Sequence, residues 1–210
     1  KVAFEEMLEM ASLGAKVLQV RSVELAMVHN VRTFVRSSFE DPDKPGMSDE
    51  KNLPGTLICN EDEIMEQEVV TGIAFAKDEA QISLRRLADR PGVSAAIFVP
   101  LANANVNVDM IVQNISEDGS FTDMTFTLPK GDIEKATTIL ENEKENIGFD
   151  SVQSETGLVK VSIIGIGMRS HAGVAATAFT AMSEKGINIK AITTSEIKIS
   201  ILIDGEYAEL

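Results

Sequence analysis

The chain has 210 residues, of which 44% are hydrophobic and 25% charged, so it can fold as one large domain or as two to three small ones. A formal net charge of -14 repels phosphate groups and anionic lipid heads, which argues against nucleic acid or a membrane surface as a partner. The single cysteine, Cys59, cannot form an intrachain disulfide, and no apolar run is long enough to cross a bilayer. These features predict a cytoplasmic globular protein and an inert thiol.

The first part of the chain predicts two helices and a strand. Apolar residues recur at helical spacing from Phe4 to Gly14, and Ser22 is the predicted N-cap of a second helix that ends near Asn30. Alternation over residues 31–36 then predicts a half-buried strand. The acidic, proline-rich segment 40–55 predicts a surface loop and the main domain boundary, and residues 61–68 are predicted as a helix or a linker.

The central part predicts strands separated by turns and helices. The strands are predicted over residues 69–76, 80–87, 106–115, 121–128 and 151–155. Asp78 and Glu79 mark a turn between the first two strands, and residues 117–119 mark a hairpin. One helix runs from Val93 to about residue 105 and contains Pro100, which removes a hydrogen bond and predicts a kink or an early end.

Two more helices and further strands are predicted toward the C-terminus. Asp132 is the predicted N-cap of one helix, and Gly148 is its predicted stop. The remaining predicted elements are a strand over 161–166, a helix with Val174, Ala178 and Met182 on one face, strands over 187–194 and 197–203, and a helix that begins near Glu206.

An internal repeat with an offset of 81 residues (173 − 92) relates these elements. It aligns Gly92-Val93 with Gly173-Val174, Phe98 with Phe179, and Val106-Asn107-Val108 with Ile187-Asn188-Ile189. A constant offset across a strand, a glycine turn, a helix and a strand entry predicts two copies of one strand-helix-strand-strand unit. Copies that pack together form a natural cleft for a ligand at their junction.

A glycine turn precedes the helix in both copies, at Gly92 and at Gly173. The first amides of a helix lack partners within the helix, and together with the helix dipole they attract a carboxylate. The alternative is that both glycines only permit tight turns. Duplication of the turn, with Asn107 and Asn188 at matched places, favours paired ligand sites, although His171 can equally be a cap and both asparagines can serve turns.

Motifs for the commonest catalytic chemistries are absent from the sequence. Two histidines and one cysteine, without HExxH, CxxC or GxxxxGK patterns, predict no metal site and no catalytic residues. The stretch Ile163-Ile164-Gly165-Ile166-Gly167 imitates the start of a dinucleotide-binding fold. Ser170 stands where that motif needs its third small residue, so this alternative is disfavoured.

Nearly the whole chain resembles the aspartate kinase family. Residues 4–18, 21–24 and 35–39 resemble the end of its catalytic domain. The stretches 89–92 (Asp-Arg-Pro-Gly), 106–114, 170–174 and 194–200 resemble the signatures of its two regulatory ACT domains.

The resemblance implies an α+β fold of tandem ferredoxin-like βαββαβ ACT domains, one nested in the other, behind a short remnant of an α/β kinase lobe. The implied boundaries are 1–40 for the kinase remnant, 41–68 for a linker, 77–156 for the first ACT domain, and 69–76 with 157–210 for the second.

The resemblance also implies a function. Members of the family phosphorylate the side-chain carboxylate of aspartate with MgATP on the way to lysine, threonine and methionine, and end-product amino acids inhibit them by binding between ACT domains of paired chains. Implied partners are threonine, lysine, and a second chain in a homodimer or an αβ assembly. The family's catalytic start is missing, so this chain alone is predicted to need no cofactor and to turn over no aspartate.

The first residue, Lys1, is not Met, which indicates a fragment. The sequence leaves open a regulatory fragment, a separate regulatory subunit, or the ordered remainder of a longer chain. An ACT oligomerisation module without ligand binding stays the alternative function.

Site residues are carried over from the family by motif. The threonine-like pocket comprises Asp89, Gly92, Val93, Ser94, Gln113, Asn188 and Ile189. The lysine-like pocket comprises Asp109, His171, Gly173, Val174, Ala175, Ser195 and Glu196. Lys16 and Val17 belong to the remnant of the ATP site.

Overall fold

The structure, a computed structural model, describes residues 1–39, 54–64, 69–116 and 120–210. In these ranges the strands are β1 (Val2–Ala3), β2 (Thr33–Val35), β3 (Thr56–Cys59), β4 (Gly72–Ala88), β5 (Asp109–Ile115), β6 (Phe121–Pro129), β7 (Ser151–Ile164), β8 (Ala191–Thr194) and β9 (Lys198–Asp204). The helices are α1 (Phe4–Ser12), α2 (Val20–Val28), α3 (Val93–Asn103), α4 (Ile133–Asn142), α5 (Lys144–Ile147) and α6 (Val174–Glu184). Short 3-10 turns lie at Glu61–Glu63, Lys130–Asp132, Ile166–Arg169 and Gly205–Tyr207.

The chain divides into two compact units. The first unit contains Lys1–Phe75, Ser162–Phe179 and Thr194–Ile199. The second unit contains Ala76–Val161, Thr180–Thr193 and Ser200–Leu210.

The N-terminal part of the first unit is built on a three-stranded sheet of order β1-β3-β2. Strand β1 runs parallel to β3, with Val2 beside Ile58, and β2 runs antiparallel to β3. One face of this sheet is covered by α1 and α2, because Phe4, Met7 and Val23 form a buried cluster with Ile58. Helical spacing of the apolar residues in α1 places Phe4 and Met7 on one side of the helix.

The core of the second unit lies between the sheet and its helices. The larger sheet has the order β5-β6-β4-β7-β9-β8, and β6 pairs antiparallel with both β4 and β5. Alternation along β4 sends Ile82 and Leu84 into the core and leaves Ser83 on the opposite face. Helices α3 and α4 add apolar side chains, including Ile97 and Leu140, to the same buried cluster.

Most helices lie where the sequence predicted them. The two helices of the repeat, α3 and α6, both have 11 residues and start 81 residues apart (174 − 93), which confirms the offset. Pro100 lies inside α3, yet the helix continues to Asn103, so the predicted early end is wrong. The helix predicted near Glu206 is a single 3-10 turn.

The predicted caps are partly wrong. Helix α2 begins at Val20 with Gln19 in the N-cap position, so Ser22 lies inside the helix. Asn30 follows the helix in a left-handed conformation, with φ of 51°, as expected for a residue that ends a helix. Asp132 occupies the N-cap position of α4 without a side-chain capping hydrogen bond, and Gly148 ends α5 instead of α4.

The predicted turn at Asp78 and Glu79 is wrong, because β4 runs through both residues as one 17-residue strand. The acidic side chain of Glu79 is compatible with a buried strand because it pairs with Lys160 at 2.6 Å. Strand β7 is likewise continuous where two separate strands were predicted.

Some predicted elements fall on residues outside the described ranges, and two strands, β1 and β3, were not predicted. The predicted hairpin at 117–119, residues 40–53 of the surface segment, and residues 65–68 of the predicted helix or linker lie outside the described residues. Residues 61–63 form a 3-10 turn. Strand β3 was not predicted, because its four residues follow a glycine and proline stretch that resembles a loop.

Candidate functional site

The first glycine bend connects β4 with α3 in the second unit. Gly92 occupies the N-cap position with φ of 93°, a left-handed conformation that glycine adopts without steric cost. A Cβ atom at this position would meet no heavy atom within 4 Å. The carbonyl of Gly92 accepts the amide of Ala96 at 2.9 Å, so the helix begins here. The first amides of a helix lack partners within the helix, and here the Val93 amide lies 3.4 Å from the carbonyl oxygen of Arg90.

Side chains around this bend differ in their exposure. Asp89 and Ser94 are exposed, whereas Val93 is buried and contributes to the core. Val93 can therefore contact a ligand only through its backbone. Gln113 is exposed on β5, opposite Met124 of β6.

Asn188 and Ile189 lie just before β8 in the same unit. Asn188 is exposed, and Ile189 lines a cavity of about 430 Å³. The other residues that line this cavity are Gln81, Ser83, Arg85, Val112, Asn114, Thr125, Lys190, Ala191 and Ile192. Val112 and Asn114 flank Gln113 on β5, so alternation directs Gln113 to the opposite face of the sheet. Ile189 and Gln113 therefore do not share this cavity, and the threonine-like pocket stays a prediction.

The second glycine bend lies in the first unit, before α6. Gly173 has φ of 107°, and a Cβ atom on it would also meet no heavy atom within 4 Å. Its carbonyl accepts the amide of Thr177 at 2.9 Å. Both glycine bends thus have the same local geometry: a left-handed residue, unobstructed space and the start of an 11-residue helix.

His171 is held by the turn that precedes this bend. Its Nδ1 lies 2.9 Å from the carbonyl oxygen of Gly167 and 3.2 Å from the hydroxyl of Ser170. Because a carbonyl oxygen can only accept, Nδ1 carries a proton in this contact. His171 therefore acts as a local cap, and its exposed ring can still contact a ligand.

The remaining residues of the lysine-like set lie near this bend in sequence or in the β8–β9 hairpin. Val174 and Ala175 are half-buried at the start of α6, while Ser195 and Glu196 are exposed in the hairpin. The Glu196 carboxylate lies 3.4 Å from Arg169 Nε.

Asp109 belongs to the second unit, unlike the other six residues of the lysine-like set. Its carboxylate lies 2.8 Å from Lys160 Nζ, which also lies 2.6 Å from Glu79. Asp109 was predicted to bind the ammonium group of a ligand, and in this structure it binds the ammonium group of Lys160. The lysine-like pocket also stays a prediction.

The contacts of Lys160 form a buried ionic cluster that sequence reasoning missed. The side chains of Lys160 and Glu79 are only 8% and 10% exposed. Burial raises the pKa of Glu79. Burial alone would lower the pKa of Lys160, but hydrogen bonds to Asp109 and Glu79 outweigh it and raise that pKa. A lysine within the apolar run 158–164 was the available signal, since a buried charge requires a partner.

Lys16 and Val17 lie in the turn between α1 and α2, and both are exposed. Exposure of the Lys16 ammonium is compatible with a phosphate contact, and its assignment to an ATP site stays a prediction. In the part of the chain that the structure describes, no group of three or more His, Cys, Asp or Glu side chains is placed to hold a metal ion. None of the described helices is long and apolar enough to span a membrane.

Comparison with known proteins places both glycine bends in a known kind of domain. The ACT domain family matches residues 81–145, and a second ACT domain match covers residues 161–210. An aspartate kinase of Pseudomonas putida is 49% identical over 211 residues, covering 100% of this chain and 48% of the relative. A crystal structure of the regulatory subunit of aspartate kinase from Thermus thermophilus, in its ligand-free form, matches this chain with a TM-score of 0.63 and 39% sequence identity. The match covers 68% of this chain and 93% of that one. The chain belongs to the aspartate kinase family.

A third comparison covers almost the whole chain. The crystal structure of E. coli aspartokinase III in complex with lysine and aspartate, in its T-state, is 27% identical with a TM-score of 0.69, covering 99% of this chain and 43% of that one. The chain spans about half the length of the aspartate kinase relative from P. putida. It corresponds to the regulatory region of an aspartate kinase.

Two ACT domains confirm the predicted tandem α+β fold, and the rival dinucleotide-binding fold is wrong. The exact domain boundaries, including the nested arrangement, stay predictions.

Proposed function

We propose that this regulatory region binds threonine, lysine or both where ACT domains of paired chains meet, and thereby controls phosphorylation of L-aspartate by ATP. The observation that carries the proposal is the pair of unobstructed glycine bends at Gly92 and Gly173, each at the start of a helix. Lysine in the crystal of E. coli aspartokinase III supports this class of ligand.

Each bend suits the carboxylate end of an amino acid. Amides of a first helical turn donate hydrogen bonds to an anion, and the helix dipole adds a favourable field. Exposed side chains near the bends suit the other end of the ligand. Asp89 and Ser94 offer acceptors for the ammonium and hydroxyl groups of threonine, and Glu196 offers a carboxylate for an ammonium group of lysine.

Control of the enzyme requires that the ligand distinguish two states. A ligand shifts an equilibrium only by the difference between its affinities for the two states, typically about 1–3 kcal/mol of coupling. In the proposed mechanism, effector binding favours one arrangement of the paired chains, in a homodimer or an αβ assembly. That arrangement holds the kinase part of the full-length protein inactive.

Catalysis belongs to the full-length protein, which uses MgATP. Lys16 and Val17 are the residues of this chain that we assign to the ATP site. The chain alone forms no acyl phosphate when it is mixed with MgATP and aspartate, which a hydroxylamine trapping assay measures. Acyl phosphate formation by the chain alone would show that we have placed the catalytic machinery wrongly.

Calorimetry and thermal melting with threonine, lysine, methionine and alanine test the proposal. At one hundred times its dissociation constant, a ligand stabilises the folded protein by about 2.7 kcal/mol. For a chain of this length, that corresponds to a rise in melting temperature of roughly 5–11 °C. A shift with threonine or lysine, but not with alanine, is the expected result. Absence of a shift with every amino acid would favour an oligomerisation module without ligand binding.

The Asp89→Ala variant separates these two functions. A sensor that carries this substitution stays folded and dimeric, because the Asp89 side chain is exposed and supports no core contact. It loses its threonine response, because the acceptor for the ligand's ammonium group is gone. An oligomerisation module has no such response to lose. Size-exclusion chromatography with light scattering, run beside calorimetry, distinguishes the two cases.

A further inference from the structure

Glu6 in α1 is a buried carboxylate that connects separate parts of the first unit. Only 1% of the residue is exposed. Its Oε2 accepts the backbone amide of Ala3 at 2.9 Å, and its Oε1 accepts the hydroxyl of Thr71 at 2.6 Å and the backbone amide of Ile166 at 2.8 Å. All three donors are neutral. The hydrogen bonds to this carboxylate therefore depend on the relative positions of the three chain segments that contain Ala3, Thr71 and Ile166.

The most distant of these donors, Ile166, opens the loop that leads to the second glycine bend. Ile166 is the first residue of the 3-10 turn Ile166–Arg169, which the bend at Gly173 follows. Its side chain is buried together with Ala3 and Ile197. The preceding residue, Gly165, donates its amide to the carbonyl of Ile197 at 3.0 Å. The start of this loop is thus packed against β1 and against the β8–β9 hairpin.

Backbone contact at Gly165 leaves the loop little freedom at this end. A Cβ atom on Gly165 would lie 2.2 Å from the carbonyl oxygen of Val69, which no side chain tolerates without a backbone shift. The backbone of Gly165, next to Ile166, is therefore packed closely against the backbone of Val69.

Two ion pairs lie beside the predicted effector residues and connect them with two acids of the first unit, Glu61 and Glu9. Arg169 Nη1 contacts both carboxylate oxygens of Glu61, at 2.8 and 2.9 Å. Lys198 Nζ lies 3.0 Å from Glu9, one turn of α1 beyond Glu6. Segment 171–175 thus lies two residues from Arg169, and segment 195–196 lies two residues from Lys198; each of these basic residues is bound to one of the two acids.

We propose that Glu6 is a positioning residue that couples the effector loop 166–173 to α1. This inference rests on the proposed function, since it assigns to that site a route by which ligand binding is transmitted. A buried carboxylate cannot exchange its lost donors for water, so α1 follows the Ile166 amide when the loop moves. Because α1 lies in the segment that resembles the end of the kinase domain, this route leads toward the catalytic part of the full-length protein.

Hydrogen exchange of the chain with and without lysine or threonine tests the coupling. In the wild type, saturating ligand changes the exchange rate of the Ile166 amide and of amides in residues 3–12 by at least about fivefold, the lower end of usual coupling. Glu6→Met keeps the approximate length of the side chain and removes both acceptor oxygens, so the bond from the Ile166 amide is lost. The ligand still binds, but the change in residues 3–12 falls below about twofold, outside the usual range of coupling.

Two controls keep the test specific. Glu24→Met makes the same chemical change at an exposed position of α2 and leaves the transmitted change intact. Thr71→Val removes one donor to Glu6 but keeps the Ile166 bond, so transmission persists. This second variant also separates the loop contact from general damage to the Glu6 site.

The possible outcomes separate the two proposals. If the wild type binds no amino acid, both the proposed function and the coupling are wrong. If the wild type binds a ligand and Glu6→Met transmits the change undiminished, only the coupling is wrong. A wild type in which residues 3–12 respond while the Ile166 amide does not also overturns the coupling, and this last measurement needs no variant.

Discussion

Replacing Lys160 with methionine tests how much the buried ionic cluster contributes to stability. Methionine keeps much of the volume of the lysine side chain and removes its ammonium group. The carboxylate of Glu79, whose side chain is only 10% exposed, then lacks its cation. Removing one partner of a buried ion pair costs about 3–5 kcal/mol. Asp109 adds little to this loss, because its side chain is 56% exposed and water can solvate it.

The loss should appear as a lower melting temperature and should depend on pH. A free energy loss of about 3–5 kcal/mol corresponds to a fall of roughly 6–20 °C for a chain of this length. In the Lys160→Met variant, burial raises the pKa of Glu79 above its ordinary value of 4.5 without opposition from a cation. A carboxyl whose pKa is raised by folding makes its full contribution to stability below its pKa in the unfolded chain, and this contribution is lost as the pH rises through its pKa in the folded protein. The deficit relative to wild type therefore shrinks as pH falls toward 4.5.

Urea denaturation followed by circular dichroism at several pH values measures this effect. Lys190→Met is the matched control, because it removes a lysine bound to Glu155 and Asp204, whose side chains are 42% and 39% exposed. That control should lose at most about 1 kcal/mol. The double variant Glu79→Gln with Lys160→Met should recover part of the loss. A deficit below about 1 kcal/mol for Lys160→Met, or one that does not change with pH, would refute the reasoning.

Three further predictions follow from local geometry. Gly92→Ala should lower the free energy of unfolding by about 1–2 kcal/mol, because alanine is strained in the left-handed conformation. Calorimetry should show weaker threonine binding with lysine binding retained. Equal loss of both responses would contradict separate pockets. Gly165→Ala forces a shift of the Val69 carbonyl and should lose about 1–3 kcal/mol in urea titrations, so wild-type stability would contradict the close contact. Hydrogen bonds from the Arg86 amide, and to a lesser extent from the Arg85 guanidinium, lower the pKa of Asp123 below 3.8. Ionised Asp123 therefore stabilises the fold above pH 3.8, and thermal melts should show that this stabilisation is lost at lower pH. Asp123→Asn should lack this acid-dependent part of the stability.

Local patterns in the sequence predicted much of the fold. The helices α3 and α6 follow from apolar spacing and from a glycine before each of them, and both signals lie within a few residues of the element they specify. The 81-residue offset (174 − 93) then linked the two copies without any knowledge of tertiary contacts.

Features that depend on distant residues could not be predicted in the same way. Asp78 and Glu79 have the composition of a turn, and only the ammonium of Lys160 from β7 makes Glu79 compatible with a buried strand. The role of Glu6 likewise depends on a donor 160 residues away, Ile166. Within the candidate site, the glycine bends were predictable from local sequence, whereas the engagement of Asp109 with Lys160 was not.

The thiol of Cys59 can report on opening of the three-stranded sheet β1-β3-β2. It is the single cysteine of the chain, it lies fully buried at the end of β3, and burial raises the pKa of its thiol. Since the thiolate is the reactive form, alkylating reagents should modify the native protein slowly and only when the three-stranded sheet opens. Labelling kinetics of an unmodified sample would therefore follow breathing of this sheet, with no engineered probe and no background from a second thiol.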